Sequence, residues 1–133
     1  MLPARYRMRR ADQFSDAVRR GARSGAQRLV VHVGTRTGDD LRPTSNRVSD
    51  AALVGFVVPR AVGNAVRRNE VKRRLRHLMA ARVGDLDAGN RVVVRALPAA
   101  ARATSAELAG DLDSALAGAR RRARRAAAAR TQR

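Results

Sequence analysis

The segment from Arg60 to Arg82 constrains the fold most, because it carries eight lysine or arginine residues against one acidic residue. Apolar residues recur within it at helical spacing. With Val71 at zero on a helical wheel, Leu75, Leu78 and Met79 fall within about 80° of it at about 100° per residue. The segment is therefore predicted to be a helix whose apolar face packs against a core and whose charges gather on the other side.

The charges of this helix fall into rows. Arg68, Lys72 and Arg76 follow one another at four-residue spacing, and Asn69 and Arg73 form a parallel row beside them. Like charges at this spacing weaken an isolated helix by roughly a few tenths of a kcal/mol per pair, so an anionic partner is expected to compensate. Phosphates do so by releasing counterions, and asparagine adds hydrogen bonds to phosphates, 2′-hydroxyls or base edges without further repulsion. The pattern favours binding to a shaped RNA surface.

Composition supports this interpretation and excludes other classes. The chain has 133 residues, a formal net charge of +18 and no cysteine. That length suits one domain, the charge favours a polyanionic partner, and the lack of cysteine excludes disulfides and thiol catalysis. No apolar run approaches the roughly 18 residues of a membrane span, and "MLPARYRMRRADQF" lacks the hydrophobic stretch of a secretory signal. We expect a cytoplasmic protein.

The stretch before the basic segment predicts one short helix. Asp12 is expected to cap it, Phe14, Ala17 and Val18 share an apolar face, and Gly21 ends it. Two strands are predicted to follow. They are Arg28–Val33, with Leu29, Val31 and Val33 on one face and Val30 and His32 on the other, and Ala52–Val58.

The pairing of these two strands follows from the polar run 34–50 between them, which predicts a loop joining a hairpin. The second strand, "ALVGFVV", is apolar on both faces and ends before Pro59. A strand of that kind is typical of the centre of a sheet. We therefore expect it to be central.

A third strand, Arg91–Leu97, is predicted to end at Pro98, and a final helix follows with a capping box formed by Thr104 and Glu107. Leu108, Leu112 and Leu116 recur every four residues along that helix. The resulting order, α-β-β-α-β-α, indicates an α+β fold, a two-layer sandwich in which helices cover one face of a small mixed sheet. Residues 1–119 are expected to form one RNA-binding domain, and the arginine-rich tail 120–133 is expected to fray.

The ordered spacing within "GNAVRRNEVKRRLR" resembles the signature of the bacterial ribonuclease P protein component. The resemblance extends to "RMRRADQF" before the first helix, to the strand ahead of Pro59 and to the "VVV" strand after the motif, so it covers about residues 5 to 120. It implies a protein that binds a catalytic RNA. That RNA performs the Mg²⁺-dependent removal of the 5′ leader from precursor tRNA and chiefly holds the Mg²⁺, while the protein is a monomer within the ribonucleoprotein.

The resemblance also assigns residues to two surfaces and implies a left-handed crossover around the motif helix. The residues implied to face the catalytic RNA are Arg60, Asn64, Arg67, Arg68, Asn69, Lys72, Arg73 and Arg76. The residues implied to bind the leader, in a cleft between the first helix and the sheet, are Phe14, Val18, Val30 and His32.

Three positions depart from the family pattern. Val18 and His32 stand where aromatic residues are common, which leaves Phe14 as the main stacking platform for a leader base. Glu70 places a carboxylate within the basic motif and is expected to pair with Arg67 or Arg74.

Other functions were weighed against this interpretation. A ribosomal-type or RNA-chaperone protein would have the same charge and fold but no need for a leader cleft. Binding of duplex DNA is disfavoured because no helix-turn-helix partner precedes the basic helix in this sequence. Intrinsic hydrolysis is disfavoured because His32 and His77 have no carboxylate at relay spacing. Asp39 with Asp40, Asp85 with Asp87, and Asp111 with Asp113 could recruit hydrated magnesium, but these acids are expected to belong to loops and to the first turn of a helix, where the helix dipole favours them.

Overall fold

A computed structural model of the chain describes residues 2–34, 52–87 and 89–131. Its helices are α1 (Ala11–Arg20), α2 (Ala65–Ala80) and α3 (Ser105–Thr131), and its strands are β1 (Ala22–Gly25), β2 (Leu29–Gly34), β3 (Leu53–Val57) and β4 (Arg91–Ala96). Short 3₁₀ turns lie at Ala4–Tyr6, Arg60–Val62, Val83–Asp85 and Pro98–Arg102. Within the described ranges, no helix is both long and apolar enough to cross a bilayer.

The four strands form one mixed sheet in the order β1-β2-β4-β3. β2 pairs antiparallel with both β1 and β4, whereas β3 pairs parallel with β4. The chain passes from β3 to β4 through α2, as a parallel pair requires a crossover connection. The predicted α+β class and mixed sheet are confirmed.

The main core lies between one face of this sheet and the helices α2 and α3. Its fully buried members include Leu29 and Val31 of β2, Val71 and Leu75 of α2, and Leu108 of α3. The predicted apolar faces of β2 and of both helices are therefore confirmed. α1 packs on the opposite face, so the expectation that all helices share one face is wrong.

That second face has a core of its own. Met8, Ala17 of α1 and Val93 of β4 are buried there, and Phe14 and Val57 pack against them. Val93 alternates with Val92 and Val94, which belong to the main core. The run of valines in β4 therefore reflects a central strand covered on both sides.

Two predictions about strand order are wrong. β4 lies between β2 and β3, so the polar run does not join a hairpin; its residues 35–50 fall outside the described ranges. β3 is an edge strand instead of a central one. It is apolar on both faces because the N-terminal segment and Phe14 cover the face that α2 and α3 do not, and the Met8 N–H donates to the Val54 carbonyl at 2.8 Å.

Strand β1 was missed because "ARSG" shows no apolar alternation. It is the other edge strand, held by backbone pairing that places Arg23 opposite His32 and Gly25 opposite Val30. Backbone hydrogen bonds are independent of side-chain hydrophobicity, so the sequence pattern carried no signal for this pairing.

The helix ends differ from prediction in two places. Arg10, not Asp12, occupies the N-cap position of α1, and Asp12 pairs with the Arg10 guanidinium in the first turn at 2.6 Å. The expected fraying of the arginine-rich tail is not seen in its described part, where α3 continues to Thr131. Alanine and arginine are both strong helix formers, so intrinsic propensity can extend this helix beyond its packed part.

Candidate nucleic-acid interface

The basic helix α2 is anchored at its start and along one face. The Asn64 Oδ1 accepts a hydrogen bond from the Arg67 backbone N–H at 2.9 Å, which satisfies one of the free donors of the first turn. Val71, Leu75 and Met79 are at most 1% exposed, whereas the charged residues on the other side of the helix are accessible to solvent. Burial of the apolar face therefore sets the direction in which the charges point.

We call the outward set the α2 basic surface. It consists of Arg67, Arg68, Asn69, Lys72, Arg73 and Arg76. Asn69, Lys72, Arg73 and Arg76 line a shallow cleft of about 490 Å³ together with Val66, which is 68% exposed. Arg60 lies in the exposed turn just before the helix, and Asn64 is exposed at its first turn. The structure thus brings all eight residues implied to face the catalytic RNA to α2 and its N-terminal end.

Little of this charge is neutralised from within the protein. The Glu70 Oε2 lies 3.6 Å from the Arg67 Nη1, which confirms an internal pair with Arg67. Arg74 turns away and donates to the Ala103 carbonyl at 3.1 Å. Within the described ranges no carboxylate pairs with Lys72 or Arg73, and the buried Arg68 Nε has no hydrogen-bond partner. The surface is available to an external polyanion.

Phe14 connects α1 to this basic surface. It lines a cleft of about 250 Å³ with Lys72 and Arg76 of α2, and with Gly55 of β3 in its floor. Arg7 and Arg9, which sequence reasoning did not assign, line the same cleft, and their signal was the basic run "RMRR" just before α1. An aromatic ring beside several cations suits a nucleotide, since the base can stack and the phosphate can pair.

The remaining leader residues lie on the sheet face that α1 partly covers. Strand register places Arg23, His32, Val93 and Gly55 in one row across all four strands. The next row runs from Gly25 through Val30 and Arg95 to Val57. Directly paired residues point to the same face of a sheet, so both rows share a face. We call this the cross-strand face.

Arg23 and Arg95 are exposed on the cross-strand face and were missed by sequence reasoning. The signal for Arg95 was a single charge within an apolar strand. Val18, on α1, is 41% exposed, and Val30 is partly buried. Phe14 sits above β3 and His32 lies on β2, so the four implied leader residues share one side of the molecule but are spread across it.

His32 is the buried member of this group, with 4% of its surface exposed and no hydrogen-bond partner for its Nδ1. Burial lowers its pKa, and the positive charges of Arg23 and Arg95 lower that pKa further. The imidazole is therefore neutral at neutral pH, and no carboxylate contributes to its environment.

Acidic residues mostly pair with arginine. Asp111 binds Arg28, Asp113 binds Arg82, and Asp87 lies 3.6 Å from Arg124. The Arg82 hydrogen bond lowers the pKa of the Asp113 carboxyl. Within residues 2–34, 52–87 and 89–131, no group of three potential ligands could hold a metal ion. Asp39 and Asp40 lie outside the described ranges.

Comparison with known proteins places this geometry in a family. The family model described as Ribonuclease P matches residues 2–120. A relative from Streptomyces avermitilis, named Ribonuclease P protein component, is 53% identical over 116 residues, which are 87% of this chain and 93% of the relative. A relative of the same name from Kocuria rhizophila is 52% identical over 122 residues, which are 92% of this chain and 98% of the relative.

Solved structures share the fold. The Staphylococcus aureus RNase P protein superposes with a TM-score of 0.68 at 23% identity, covering 84% of this chain and 92% of that one. The Thermotoga maritima RNase P protein gives a TM-score of 0.64 at 22% identity, covering 81% of this chain and 92% of that one.

Proposed function

This chain belongs to the ribonuclease P protein family, and from that membership we propose that it binds a catalytic RNA and helps that RNA to remove the 5′ leader from precursor tRNA. The observation that carries the proposal is that the two candidate binding surfaces share residues. Lys72 and Arg76 belong both to the α2 basic surface and to the cleft that holds Phe14. One RNA bound to α2 and a second strand bound at Phe14 would therefore meet at these two residues.

The α2 basic surface is proposed to bind the catalytic RNA. Apart from Arg67, which pairs with Glu70, its cations have no carboxylate partner among the residues that the structure describes, and the exposed Asn69 adds hydrogen-bonding groups within the same rows. Neutralising phosphates there would release counterions and would relieve the repulsion between neighbouring arginines. Arg60 and Asn64 extend this surface to the first turn of the helix.

The leader is proposed to lie between α1 and the cross-strand face. Phe14 provides the stacking platform, and Val18 and Val30 provide apolar contacts beside it. His32 is neutral, so it adds no charge to the site, and its unpartnered Nδ1 can donate or accept one hydrogen bond, depending on the tautomer. This arrangement would hold an extended strand and would favour precursor over mature tRNA.

The hydrolysis is assigned to the RNA subunit. A general base or a metal site in the protein would need a histidine or carboxylates grouped near the cleft, whereas His32 is buried between arginines and most acidic side chains in the described part of the chain pair with arginine. Mg²⁺ would be held chiefly by the RNA. The protein would act as a monomer within a cytoplasmic ribonucleoprotein.

Reconstitution tests this function. The protein is mixed with a bacterial-type catalytic RNA and a 5′-extended precursor tRNA, at a Mg²⁺ concentration too low for the RNA to act efficiently alone. Correct cleavage only when both are present supports the proposal. RNA binding without stimulation would favour the ribosomal or chaperone alternative, and cleavage by the protein alone would contradict the division of labour.

Two substitutions separate the two surfaces. Arg73→Glu should weaken assembly with the catalytic RNA by at least about tenfold and reduce the salt dependence of assembly, because Arg73 is exposed on α2 and no carboxylate in the described part of the chain pairs with it. Phe14→Ala should leave assembly nearly intact and reduce the preference for precursor over mature tRNA by about 1–3 kcal/mol, the value of one stacked base. A uniform loss from both variants would contradict the two-surface arrangement.

A further inference from the structure

The C-terminal part of α3 differs in charge from its beginning. Glu107, Asp111 and Asp113 lie in the first half, and each pairs with an arginine elsewhere in the fold. Residues 120–133 contain seven arginines and no acidic residue. The family model ends at residue 120, so most of this charge is additional to the family's matched core.

Two of these arginines contact the loop before β4. The Arg120 guanidinium donates to the Asp85 carbonyl at 2.6 Å, and Arg124 lies 3.6 Å from Asp87. These contacts, with the partly buried Ala123, keep the helix against the loop before β4. The extension is therefore held in a defined position.

Arg121 and Arg125 lie about 100° around the helix from Arg120 and Arg124. On a helical wheel they lie about 40° apart, and they are turned roughly 80° to 160° away from the buried residues Ala115 and Ala119. Both are exposed, and neither has an ion-pair partner within the described ranges. Together with Arg122 they form a ridge, which we call the α3 ridge.

The α3 ridge lies beside the β1 edge of the sheet. Gly118 packs so closely on Ser24 of β1 that a β-carbon would overlap the Ser24 hydroxyl. One turn later, the Arg122 guanidinium donates to the Arg23 carbonyl. The Arg23 side chain projects on the other face of the sheet, in the row that contains His32, so the ridge and the cross-strand face lie on either side of the β1 edge.

The two basic surfaces therefore stand at opposite edges of one sheet. The cleft containing Phe14, Lys72 and Arg76 lies at the β3 edge, and the α3 ridge lies at the β1 edge. Four strands at about 4.8 Å spacing separate the edges by roughly 14 Å. A single strand of RNA that enters at Phe14 and crosses Arg95 would reach Arg23 and, by passing around the β1 edge, the ridge.

We infer that the α3 ridge, with Arg23, binds the phosphates of leader nucleotides distal to the cleavage site. The inference rests on the proposed function, because the α2 edge lies nearest the catalytic RNA only if α2 binds that RNA. The ligand is the backbone of single-stranded RNA. Its binding is expected to depend on leader length and charge and to be indifferent to base identity.

The test uses the full-length protein assembled with its catalytic RNA. Affinity is measured for precursor tRNAs with leaders of about 3 and about 12 nucleotides, which lie below and within the range of single-strand site sizes. R121Q/R125Q is compared with the wild-type protein and with R19Q/R20Q, which removes the same charge from exposed positions on α1 outside the cleft. Glutamine and arginine have similar helix propensities, so the fold should be kept.

R121Q/R125Q should weaken binding of the long-leader precursor about tenfold at ~0.15 M salt and lower its salt slope by roughly 1.4, as for two phosphate contacts to a single strand. The short-leader affinity should stay within about twofold, and R19Q/R20Q should match the wild type for both leaders. R121K/R125K should restore long-leader binding, since lysine keeps the charge.

Three results would overturn the inference. Equal losses for both leaders would place the ridge on another part of the RNA, as would a loss confined to assembly with the catalytic RNA. Unchanged binding of the long leader would mean that the ridge is only solvated. Failure of the proposed function is distinguishable, because the wild-type complex would then fail to prefer precursor over mature tRNA at any leader length. Far-UV circular dichroism checks that α3 keeps its helicity in the variants.

Discussion

The ring of Phe14 on α1 occupies the space that a β-carbon on Gly55 of β3 would need. Glycine at this position lets the aromatic ring lie directly on the strand backbone, with Met8 beside it. The orientation of the proposed stacking platform therefore depends on the absence of a side chain in the strand beneath it.

Gly55→Ala should destabilise the protein by about 1–3 kcal/mol, because the methyl group forces Phe14 or β3 to move in a packed region. It should also reduce the preference for precursor over mature tRNA. Urea unfolding and precursor binding measure the two effects. Gly110→Ala is the control, since open space surrounds Gly110 on α3 and helix propensity should raise stability by about 0.5–1 kcal/mol. A fully stable Gly55→Ala variant would contradict the tight contact.

The two asparagines of the basic segment should respond differently to alanine. Asn64→Ala should lower stability by about 1 kcal/mol because it removes the N-cap hydrogen bond to Arg67. Asn69→Ala should leave the unfolding free energy nearly unchanged and should weaken binding to the catalytic RNA, because Asn69 is exposed among the rows of charge. Chemical denaturation and RNA titration of both variants check this. Equal stability losses would mean that Asn69 is also structural.

Asp111 should contribute more to the free energy of unfolding than an ordinary exposed acidic residue does. Its Oδ2 accepts from both the Arg28 backbone N–H, at 3.0 Å, and the Arg28 guanidinium, at 3.2 Å, and its side chain is only 17% exposed. Asp111→Ala should cost about 1–3 kcal/mol, because it leaves the partly buried Arg28 backbone N–H without a partner and the guanidinium paired with Glu107 alone.

Asp12→Ala is the matched control for Asp111→Ala. Asp12 also pairs with an arginine, Arg10, but this pair is exposed: 60% of the Asp12 side chain and 59% of the Arg10 side chain are accessible to solvent. Its loss should change stability by about 0.5 kcal/mol or less. Urea unfolding compares the two variants, and similar small effects would show that Asp111 does not hold α3 to β2.

His32 should make stability depend on pH in the acid range. Its pKa in the folded protein is lowered by burial and by Arg23 and Arg95, so the unfolded chain takes up the proton first as the pH falls through about 6.5. Stability should therefore decline on acidification below neutrality. His32→Phe should flatten the dependence between about pH 7 and pH 5, whereas a comparison near pH 8 isolates the packing effect of the change. An unchanged slope would exclude His32 as its source.

The sequence alone was enough to identify most elements and the α2 basic surface. β2, β4 and α3 carry strong apolar periods, and the Thr104 side chain and Glu107 form the predicted reciprocal capping bonds at 3.1 and 3.0 Å. The spacing of Arg68, Asn69, Lys72 and Arg73 predicted that they share one side of the helix, because positions four apart on a helix lie together. The same spacing carried the resemblance to the family.

Tertiary structure alone decided which strands are neighbours. Pairing is non-local, so a strand apolar on both faces can be central, as β4 is, or can be an edge covered from both sides, as β3 is. For the same reason the polar "ARSG" became β1 without any hydrophobic signal. Only that strand order brings Phe14 to Lys72 at one edge and Arg23 to Arg122 at the other, since backbone pairing across the sheet, not spacing along the chain, sets their positions.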